Sequence, residues 1–226
     1  MATWDELFAE GKLIARVPEA SVLTFASNLE SAFTERPLRI WDLGCGAGRH
    51  TCALAARGYA VHGSDASPRG IEHTRALLAK HELRADLAVA DMTAAPWPDV
   101  RFHGVVSLDA IHHNRLTEIR RAVAVVHDHL LPGGHFFATV KSSKADSYGQ
   151  GVEVAPGTFI PRDGYEAGVP HHFFDEAGIR ALLKGWELLV LVERVMDYRA
   201  RGEDFLAVNP FGYTCWGILA RKGERG

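Results

Sequence analysis

The stretch from Leu38 to Asp65 constrains the fold of this chain more than any other part of its sequence. It opens with the short apolar run LRIW, passes through the glycine-rich turn GCGAG, and continues in an Ala/Leu-rich segment that Gly58 ends. A second apolar run, AVHGS, leads to the acidic residue Asp65. Apolar runs of this length predict buried strands, and the segment between them predicts a helix with a glycine cap. Strand, glycine turn, helix, strand and acid are typical of a βαβ unit that binds a nucleotide.

The residue types of this stretch suit a ligand site. Glycine lets the backbone approach a ligand without a Cβ in the way, and it reaches positive φ at low cost. The helix N-terminus behind the turn favours anionic groups, and Asp65 stands where a ribose would present its hydroxyls. Two other interpretations stay open. The turn could bind nothing, or it could be a dinucleotide fingerprint, although that pattern is G-x-G-x-x-G and this chain has G-x-G-x-G directly after Asp42 and Leu43.

The phrase DLGCGAG at residues 42–48 resembles motif I of the class I methyltransferases that depend on S-adenosyl-L-methionine (SAM). By that resemblance the three glycines of the turn line the methionine part of SAM and Asp65 holds the ribose. Asp91 and Met92, just beyond the third predicted strand, would contact the adenine. The resemblance implies SAM as cofactor and S-adenosyl-L-homocysteine as product. The expected cofactor-binding residues are Asp42, Gly44, Gly46, Gly48, Asp65, Ala66, Asp91, Met92 and Leu108.

Composition and charge narrow the expected partners. Of the 226 residues, 47% are hydrophobic and 23% are charged, which fits one globular domain with a substantial core. The formal net charge is −3 and no block of Lys and Arg stands out, so we expect no nucleic acid as a partner. No apolar run reaches membrane-spanning length, and three cysteines without a disulfide or zinc spacing fit a reducing compartment. We therefore expect no membrane contact, a cytoplasmic location and a monomer or homodimer.

The rest of the chain continues the alternation of strands and helices. Ser67 and Pro68 predict the start of a helix, and Asp175 predicts the cap of another that runs to Leu183. An apolar stripe predicts a helix over residues 116–129. The count is seven strands, of which the last two, 186–192 and 213–220, form an antiparallel hairpin. The resemblance implies a Rossmann-like α/β sheet in the order 3-2-1-4-5-7-6, with strand 7 antiparallel, helices on both faces and a lid inserted after strand 5. We expect a single methyltransferase domain over residues 1–226.

Two segments stand apart from this alternation. Residues 1–35 predict N-terminal helices that cap the sheet. In methyltransferases of this class such helices often close over the SAM pocket, so Trp4 and Phe25 are also candidate lid residues. Residues 141–174 are rich in Gly and Pro and show little regular pattern, which is typical of a functional loop. We interpret them as a lid and acceptor loop because they carry aromatic side chains, which suit the surroundings of a small ligand. These are Tyr148, Phe159 and Tyr165.

The acceptor site is expected at the end of the fourth strand, because ligands of an open α/β sheet bind beyond the carboxyl ends of its strands. We expect His113 or His172 to act as the catalytic residue, the two facing each other across the pocket, since a histidine can take a proton near neutral pH. The expected substrate-binding residues are Asp109, His112, Tyr148 and His171. A metal site from these histidines with Glu153 or Asp109 is conceivable. No two of the histidines have the i, i+4 spacing of a helical ligand motif, however, and we expect no metal.

Within the class, the chain is most similar to the tellurite-resistance-type group of small-molecule methyltransferases. The similarity rests on the phrases DLGCGAGRH and LPGGHF and, further on, on FF before a helix and on KGWE. It implies methyl transfer from SAM to a small-molecule acceptor by in-line displacement. Two other functions stay open: a non-catalytic regulatory module that binds SAM, and a nicotinamide oxidoreductase, which the glycine spacing and the closing hairpin disfavour.

Overall fold

Helices and strands alternate along most of the chain in the structure, a computed structural model that describes residues 4–11, 14, 17–164, 166–196 and 213–223. The helices are α1 (Trp4–Ala9), α2 (Ala20–Ala32), α3 (Arg49–Ala55), α4 (Pro68–Lys80), α5 (Leu116–His129) and α6 (Glu176–Leu182). The strands are β1 (Arg39–Leu43), β2 (Ala60–Asp65), β3 (Asp86–Val89), β4 (Phe102–Ser107), β5 (Leu130–Lys141), β6 (Val152–Ala155), β7 (Thr158–Ile160), β8 (His171–His172), β9 (Glu187–Met196) and β10 (Tyr213–Arg221). None of these described helices is long and apolar enough to cross a bilayer.

Seven strands form one sheet in the order β3-β2-β1-β4-β5-β10-β9. The strands from β3 to β5 run parallel, whereas β10 runs antiparallel to both of its neighbours, β5 and β9. This order and the reversed β10 confirm the predicted seven-stranded sheet. The carboxyl ends of β1, β2 and β4 therefore lie side by side along one edge of the sheet, where ligands of such folds bind.

Residues in and next to β1 alternate between two hydrophobic layers, one on each face of the sheet. Trp41 and Leu43 pack in the layer under α5 and α6, whereas Leu38 and Ile40 pack in the layer under α2. Each of the four is at most 1% exposed. A shift of the strand by one residue would exchange these faces. Because burial of each side chain stabilises the fold by about 1.5–3 kcal/mol, it fixes the register of the strand. The register in turn fixes where the glycine turn after Leu43 begins.

The helix caps that the sequence predicts are present at α4 and α6. Ser67 accepts a hydrogen bond from the N–H of Gly70 at 3.0 Å, and Asp175 accepts one from the N–H of Gly178 at 2.7 Å. Phe25 is one of the buried residues of α2, and its ring stacks on Phe137 with 5.6 Å between centroids. Phe25 is therefore a core residue rather than part of a lid.

The lid segment is more regular than its sequence indicates. Strands β6, β7 and β8 pair antiparallel in a second, three-stranded sheet. The buried Phe159 and Phe173 form a small apolar cluster there, and the ring of Tyr148 lies 5.2 and 5.6 Å from theirs. Strands of two to four residues are too short to show alternation, and the Gly and Pro residues between them conceal the pattern. Tyr165, the third predicted aromatic, lies outside the described residues.

Candidate functional site

The turn between β1 and α3 holds its three glycines in the left-handed region, with φ of 77° at Gly44, 53° at Gly46 and 85° at Gly48. A Cβ on Gly44 would lie 2.4 Å from the Cβ of Ala110. A Cβ on Gly48 would lie 2.7 Å from the side chain of Thr74. Both glycines are therefore required by close packing as well as by backbone conformation. The turn is held in one shape, which is what a binding loop needs.

Asp65, at the carboxyl end of β2, joins the glycine turn to the start of α4. One carboxylate oxygen accepts the N–H of Gly46 at 2.8 Å, and the other accepts the N–H of Ser67 at 2.9 Å. Burial raises the pKa of Asp65, and the two N–H groups lower it in part. A carboxylate oxygen can accept more than one hydrogen bond, so Asp65 can hold the turn and still accept bonds from a ribose. This arrangement fits the group that motif I implies.

Asp42 lies behind the turn and is 1% exposed. Its carboxylate accepts a hydrogen bond from Thr51 Oγ1 at 2.7 Å, which ties β1 to α3. Burial raises the pKa of Asp42 to about 6, although the Thr51 hydroxyl and the charge of Arg49 lower it in part. The acid of motif I therefore supports the loop from within the protein.

Helix α1 covers the glycine turn. The ring of Phe8 lies 3.0 Å from where a Cβ on Gly46 would stand and 3.3 Å from where one on Gly70 would stand. One helical turn earlier, Trp4 packs edge-on against the ring of His113, with 4.7 Å between centroids. The same short helix therefore contacts both the predicted cofactor loop and the predicted acceptor end of β4. Trp4 lies where a lid residue would lie.

The predicted adenine contacts lie in the loop after β3. Asp91 is exposed, and its Oδ1 accepts hydrogen bonds from the N–H and the hydroxyl of Thr93 at 2.8 and 2.6 Å. Met92 is half-buried, and its sulfur lies 3.1 Å from Asn114 Nδ2 in the loop after β4. The other two expected cofactor residues follow the two strands that flank β1, namely the exposed Ala66 after β2 and the buried Leu108 after β4. Contact of these four residues with SAM stays a prediction.

Asp109, two residues past β4, has a backbone φ of 54°, which is rare for a residue other than glycine. Its N–H donates to Thr139 Oγ1 at 2.9 Å, and that hydroxyl lies 3.1 Å from Asp109 Oδ1. The Tyr213 hydroxyl donates to the same carboxylate, and Arg49 lies 3.5 Å from its other oxygen. These contacts hold the side chain of Asp109 in place, which allows its unfavourable backbone conformation to persist.

Four parts of the chain bring a cluster of ionisable side chains together beyond β4: the loop after β4, the end of β5, the segment before β8 and β8 itself. The Glu166 carboxylate lies 3.8 Å from His113 Nε2, 3.0 Å from His171 Nε2 and 3.4 Å from Lys141 Nζ. The ring of His112 lies 4.1 Å from that of His113. The histidines and the lysine are buried, and Glu166 is half-buried. Of these residues, Glu166 and Lys141 are not among the residues that the sequence singles out, because neither belongs to a local motif.

Burial sets the charges in this cluster. It lowers the pKa of His112 to about 3, with the charge of Lys141 as a second cause, and it holds the pKa of His113 well below its usual value. Burial also lowers the pKa of His171, although Glu166 opposes that change. Burial alone would raise the pKa of Glu166, but Lys141 and His171 hold it at about 2. At neutral pH the cluster thus holds neutral imidazoles beside a carboxylate and an ammonium group.

His172 does not face His113 as predicted. Its Nδ1 lies 2.8 Å from Thr158 Oγ1, and its ring packs edge-on against Phe174 at 4.4 Å. Successive residues of a strand point to opposite sides, so within β8 it is His171 that meets His113, with 4.7 Å between ring centroids. Burial lowers the pKa of His172 to about 4. The predicted facing pair is therefore corrected to His113 and His171, while a role of His172 in catalysis stays a prediction.

Comparison with known proteins agrees with this geometry. Residues 40–134 match the family model described as methyltransferase domain. TehB of Haemophilus influenzae has a TM-score of 0.67 at 19% identity, over 98% of this chain and 68% of that chain. The 1,6-didemethyltoxoflavin-N1-methyltransferase of Burkholderia thailandensis, solved with its acceptor and S-adenosylhomocysteine, has a TM-score of 0.67 at 19% identity, over 96% of this chain and 84% of that chain.

Residues 40–134 thus match a methyltransferase domain, and the chain has the fold of the class I methyltransferases, a class whose cofactor is SAM. The class, the type of enzyme, the cofactor and the likeness to the tellurite-resistance type that the sequence predicts are confirmed.

The expectation of no nucleic-acid partner is wrong. The 18S rRNA (guanine-N(7))-methyltransferase bud23 of Schizosaccharomyces pombe is 37% identical over 84 residues, which are 37% of this chain and 30% of that relative. By its name that enzyme acts on rRNA. The error came from using the net charge, which is a sum over the whole surface, whereas binding of nucleic acid depends on where basic side chains cluster. The match spans less than a third of the relative's length, so it leaves the acceptor of this chain open.

Proposed function

We propose that the chain transfers the methyl group of SAM to a small-molecule acceptor bound between the carboxyl end of β4 and the lid. The observation that carries this proposal is the cluster of His113, Glu166 and His171. It includes the loop after β4, in which Ala110 packs closely against Gly44 of the glycine turn. Trp4 and Phe8 are one helical turn apart on α1, and they contact His113 and the loop at Gly46 respectively. Residues at that spacing have Cβ atoms about 5–6 Å apart, so one face of α1 reaches both the cofactor loop and the cluster.

In this proposal the glycine turn and Asp65 hold the cofactor and Asp42 supports the turn from behind, with Ala66, Asp91, Met92 and Leu108 around the ribose and adenine. Four features support it: the fixed left-handed turn, the two N–H bonds that orient Asp65, the position of all these residues along one sheet edge, and the family match over residues 40–134. The helices of residues 1–35 and the lid of residues 141–174 form the cover of the same domain.

SAM supplies a methyl group on a sulfonium, which any nucleophile in line with the carbon–sulfur bond can displace. The contribution of the chain is to hold the acceptor in that line, which is worth up to about 7–11 kcal/mol in well-oriented systems. Trp4 and the lid exclude water from the transfer. His113 is neutral, so its imidazole can accept the acceptor's proton as the new bond forms, and the Glu166 carboxylate stabilises the resulting imidazolium. Asp109, His112, His171 and Tyr148 would line the acceptor.

A second candidate acceptor is a base of RNA. The relative that acts on rRNA supports it, and a base splayed out of its strand is itself a small aromatic acceptor that could enter the same pocket. A regulatory module that binds SAM without turnover is disfavoured, because a sensor has no use for a buried cluster of histidines at the acceptor end.

The test measures release of S-adenosylhomocysteine from SAM with panels of thiols, selenite, tellurite, small amines, phenols and a short unstructured RNA. SAM affinity is measured in parallel by calorimetry. We expect turnover with one small-molecule class, and we expect His113→Gln to reduce kcat while His81→Gln, an exposed histidine next to α4, leaves it unchanged. Turnover with RNA alone would move the proposal to the second candidate. SAM binding without turnover on any panel would favour the regulatory module.

A further inference from the structure

The cluster beyond β4 has the composition and spacing of a metal site. One ring nitrogen of His113, one carboxylate oxygen of Glu166 and one ring nitrogen of His171 all lie within 4.8 Å of one another. We propose that these three side chains bind one divalent transition-metal ion of the zinc type. The sequence does not indicate this set of ligands, because they come from the loop after β4, from the segment before β8 and from β8 itself, more than 50 residues apart at the extremes.

The distances fit one ion. Zinc bonds to nitrogen and oxygen ligands are about 2.0–2.2 Å long, so neighbouring ligand atoms around a tetrahedral ion are about 3.3–3.6 Å apart. The contacts of Glu166 with His171 at 3.0 Å and with His113 at 3.8 Å lie on either side of that range. Side-chain rotations that move the ligand atoms by an ångström or less would complete the arrangement.

One ligand atom is available in a way that the rest of the fold does not explain. His171 is 2% exposed. Its Nε2 lies 3.0 Å from Glu166 Oε2, but the geometry is not that of a hydrogen bond, and this nitrogen has no hydrogen-bond partner among the described residues. A buried ring nitrogen without a hydrogen bond costs free energy unless something else occupies it. A metal ion between His171 and Glu166 would satisfy both groups.

The donor set selects the kind of metal. Two imidazoles and one carboxylate suit zinc and the neighbouring divalent transition metals, whereas magnesium and calcium prefer oxygen ligands. Three protein ligands leave at least one coordination position open, as in catalytic zinc sites. If the proposed function holds, that position faces the acceptor pocket. With the ion bound, His113 is a ligand and no longer the base, and the metal would take over that role: it would bind an oxygen or sulfur atom of the acceptor and lower its pKa, so that the acceptor binds in its deprotonated, nucleophilic form.

Lys141 is the competitor for this ion. Its ammonium lies 3.4 Å from Glu166 Oε2, the same oxygen that lies 3.0 Å from His171. Without a metal, Lys141 balances the charge of the carboxylate. Two cations close to one carboxylate repel each other, so metal binding has to displace the lysine or work against it. Removal of the ammonium, as in Lys141→Met, should therefore strengthen metal binding.

The test uses full-length protein that has been stripped with a chelator and then titrated with Zn²⁺ by calorimetry, in the absence of SAM and acceptor. We expect one equivalent to bind with a Kd below about 10 µM, and we expect Glu166→Gln and His171→Gln each to weaken binding by more than about 100-fold. His172→Gln is the matched control, since it alters a buried histidine in the same strand that lies outside the triad, and it should bind as the wild type does. Lys141→Met should bind more tightly.

A second measurement reads metal binding on the wild-type protein, and variants serve only to assign its signals. Long-range ¹H–¹⁵N spectra of the wild-type histidines should show Zn²⁺ shifting Nε2 of two rings, which single His→Gln spectra assign to His113 and His171. A Kd above about 10 µM, or shifts confined to other histidines, would overturn the metal site. Because these readouts need no turnover, they stand or fall separately from the proposed function. Equal methyl transfer by stripped and loaded protein would overturn the role of the metal at the acceptor.

Discussion

The buried carboxylate of Asp42 makes stability depend on pH in a direction opposite to that of most carboxylates. Burial raises its pKa from 3.8 to about 6, so the folded protein binds a proton there more tightly than the unfolded chain does. Protonation therefore stabilises the folded state. This contribution is complete below about pH 4 and is lost as the pH rises through about 6. The difference of about 2.2 pKa units corresponds to about 3 kcal/mol.

The perturbation is Asp42→Asn, which keeps the shape of the side chain and cannot titrate. Other groups that titrate in this range are common to both proteins, so the difference between their unfolding free energies isolates Asp42. Relative to the variant, the unfolding free energy of the wild type should fall by about 2 of the 3 kcal/mol between about pH 4.5 and about pH 7.5. The reason is that Asp42 of the folded protein is almost fully protonated at the lower pH and deprotonated at the higher pH. Urea unfolding followed by circular dichroism measures both proteins across this range.

Thr51→Val supplies an independent check on the same group. The Thr51 hydroxyl donates to the ionised carboxylate and so lowers the pKa of Asp42. Its removal should shift the loss of stability to higher pH and enlarge it. A difference between wild type and Asp42→Asn that stays constant within about 0.5 kcal/mol across the range would refute the reasoning, because Asp42 would then have the same pKa in the folded and unfolded states.

Three further predictions concern the cofactor side of the site. Asp65→Ala should weaken SAM binding by about 1–3 kcal/mol, since it removes the acceptor proposed for the ribose hydroxyls, and an affinity equal to that of wild type in calorimetry would refute the assignment. Gly44→Ala should destabilise the fold by about 1–3 kcal/mol more than Gly58→Ala in urea unfolding, because both residues have positive φ and only Gly44 has a neighbour at 2.4 Å; equal losses would contradict the packing argument. Asp5→Ala removes the acceptor of the Ser67 hydroxyl, so α1 should open more readily and SAM should dissociate faster in stopped-flow measurements, with an unchanged rate arguing against α1 as a cover.

The parts of the fold that the sequence predicts are those with local causes. The glycine turn, the caps at Ser67 and Asp175 and the apolar stripe of α5 each depend on residues within a few positions, and each is present in the structure. The small sheet of the lid was missed because its strands are too short to show a period. The sequence also indicated the histidines of the acceptor end, since any residue just past a strand of this sheet lies at the ligand edge.

The residues that contact those histidines cannot be predicted from local sequence patterns, because they are far away in the sequence. Glu166 reaches His113 and Lys141 across 53 and 25 positions of the sequence. Tyr213 reaches Asp109 across 104 positions. Either His171 or His172 could enter the cluster, depending on which side of β8 faces it. The pairing of β8 with β7 decides this, and the composition of β8 does not.

The cofactor half and the acceptor half of the site differ in how the chain assembles them. The cofactor half of the site is built into one continuous βαβ unit, so its geometry is fixed as soon as β1, α3 and β2 are in place. The acceptor half is assembled from the loop after β4, the lid and α1, which meet only through side chains such as Trp4, Glu166 and His171. Changes in the lid can therefore alter the acceptor, or a metal bound beside it, while the SAM pocket stays intact. Substitutions of Glu166 should for that reason affect turnover and metal binding and leave SAM affinity unchanged.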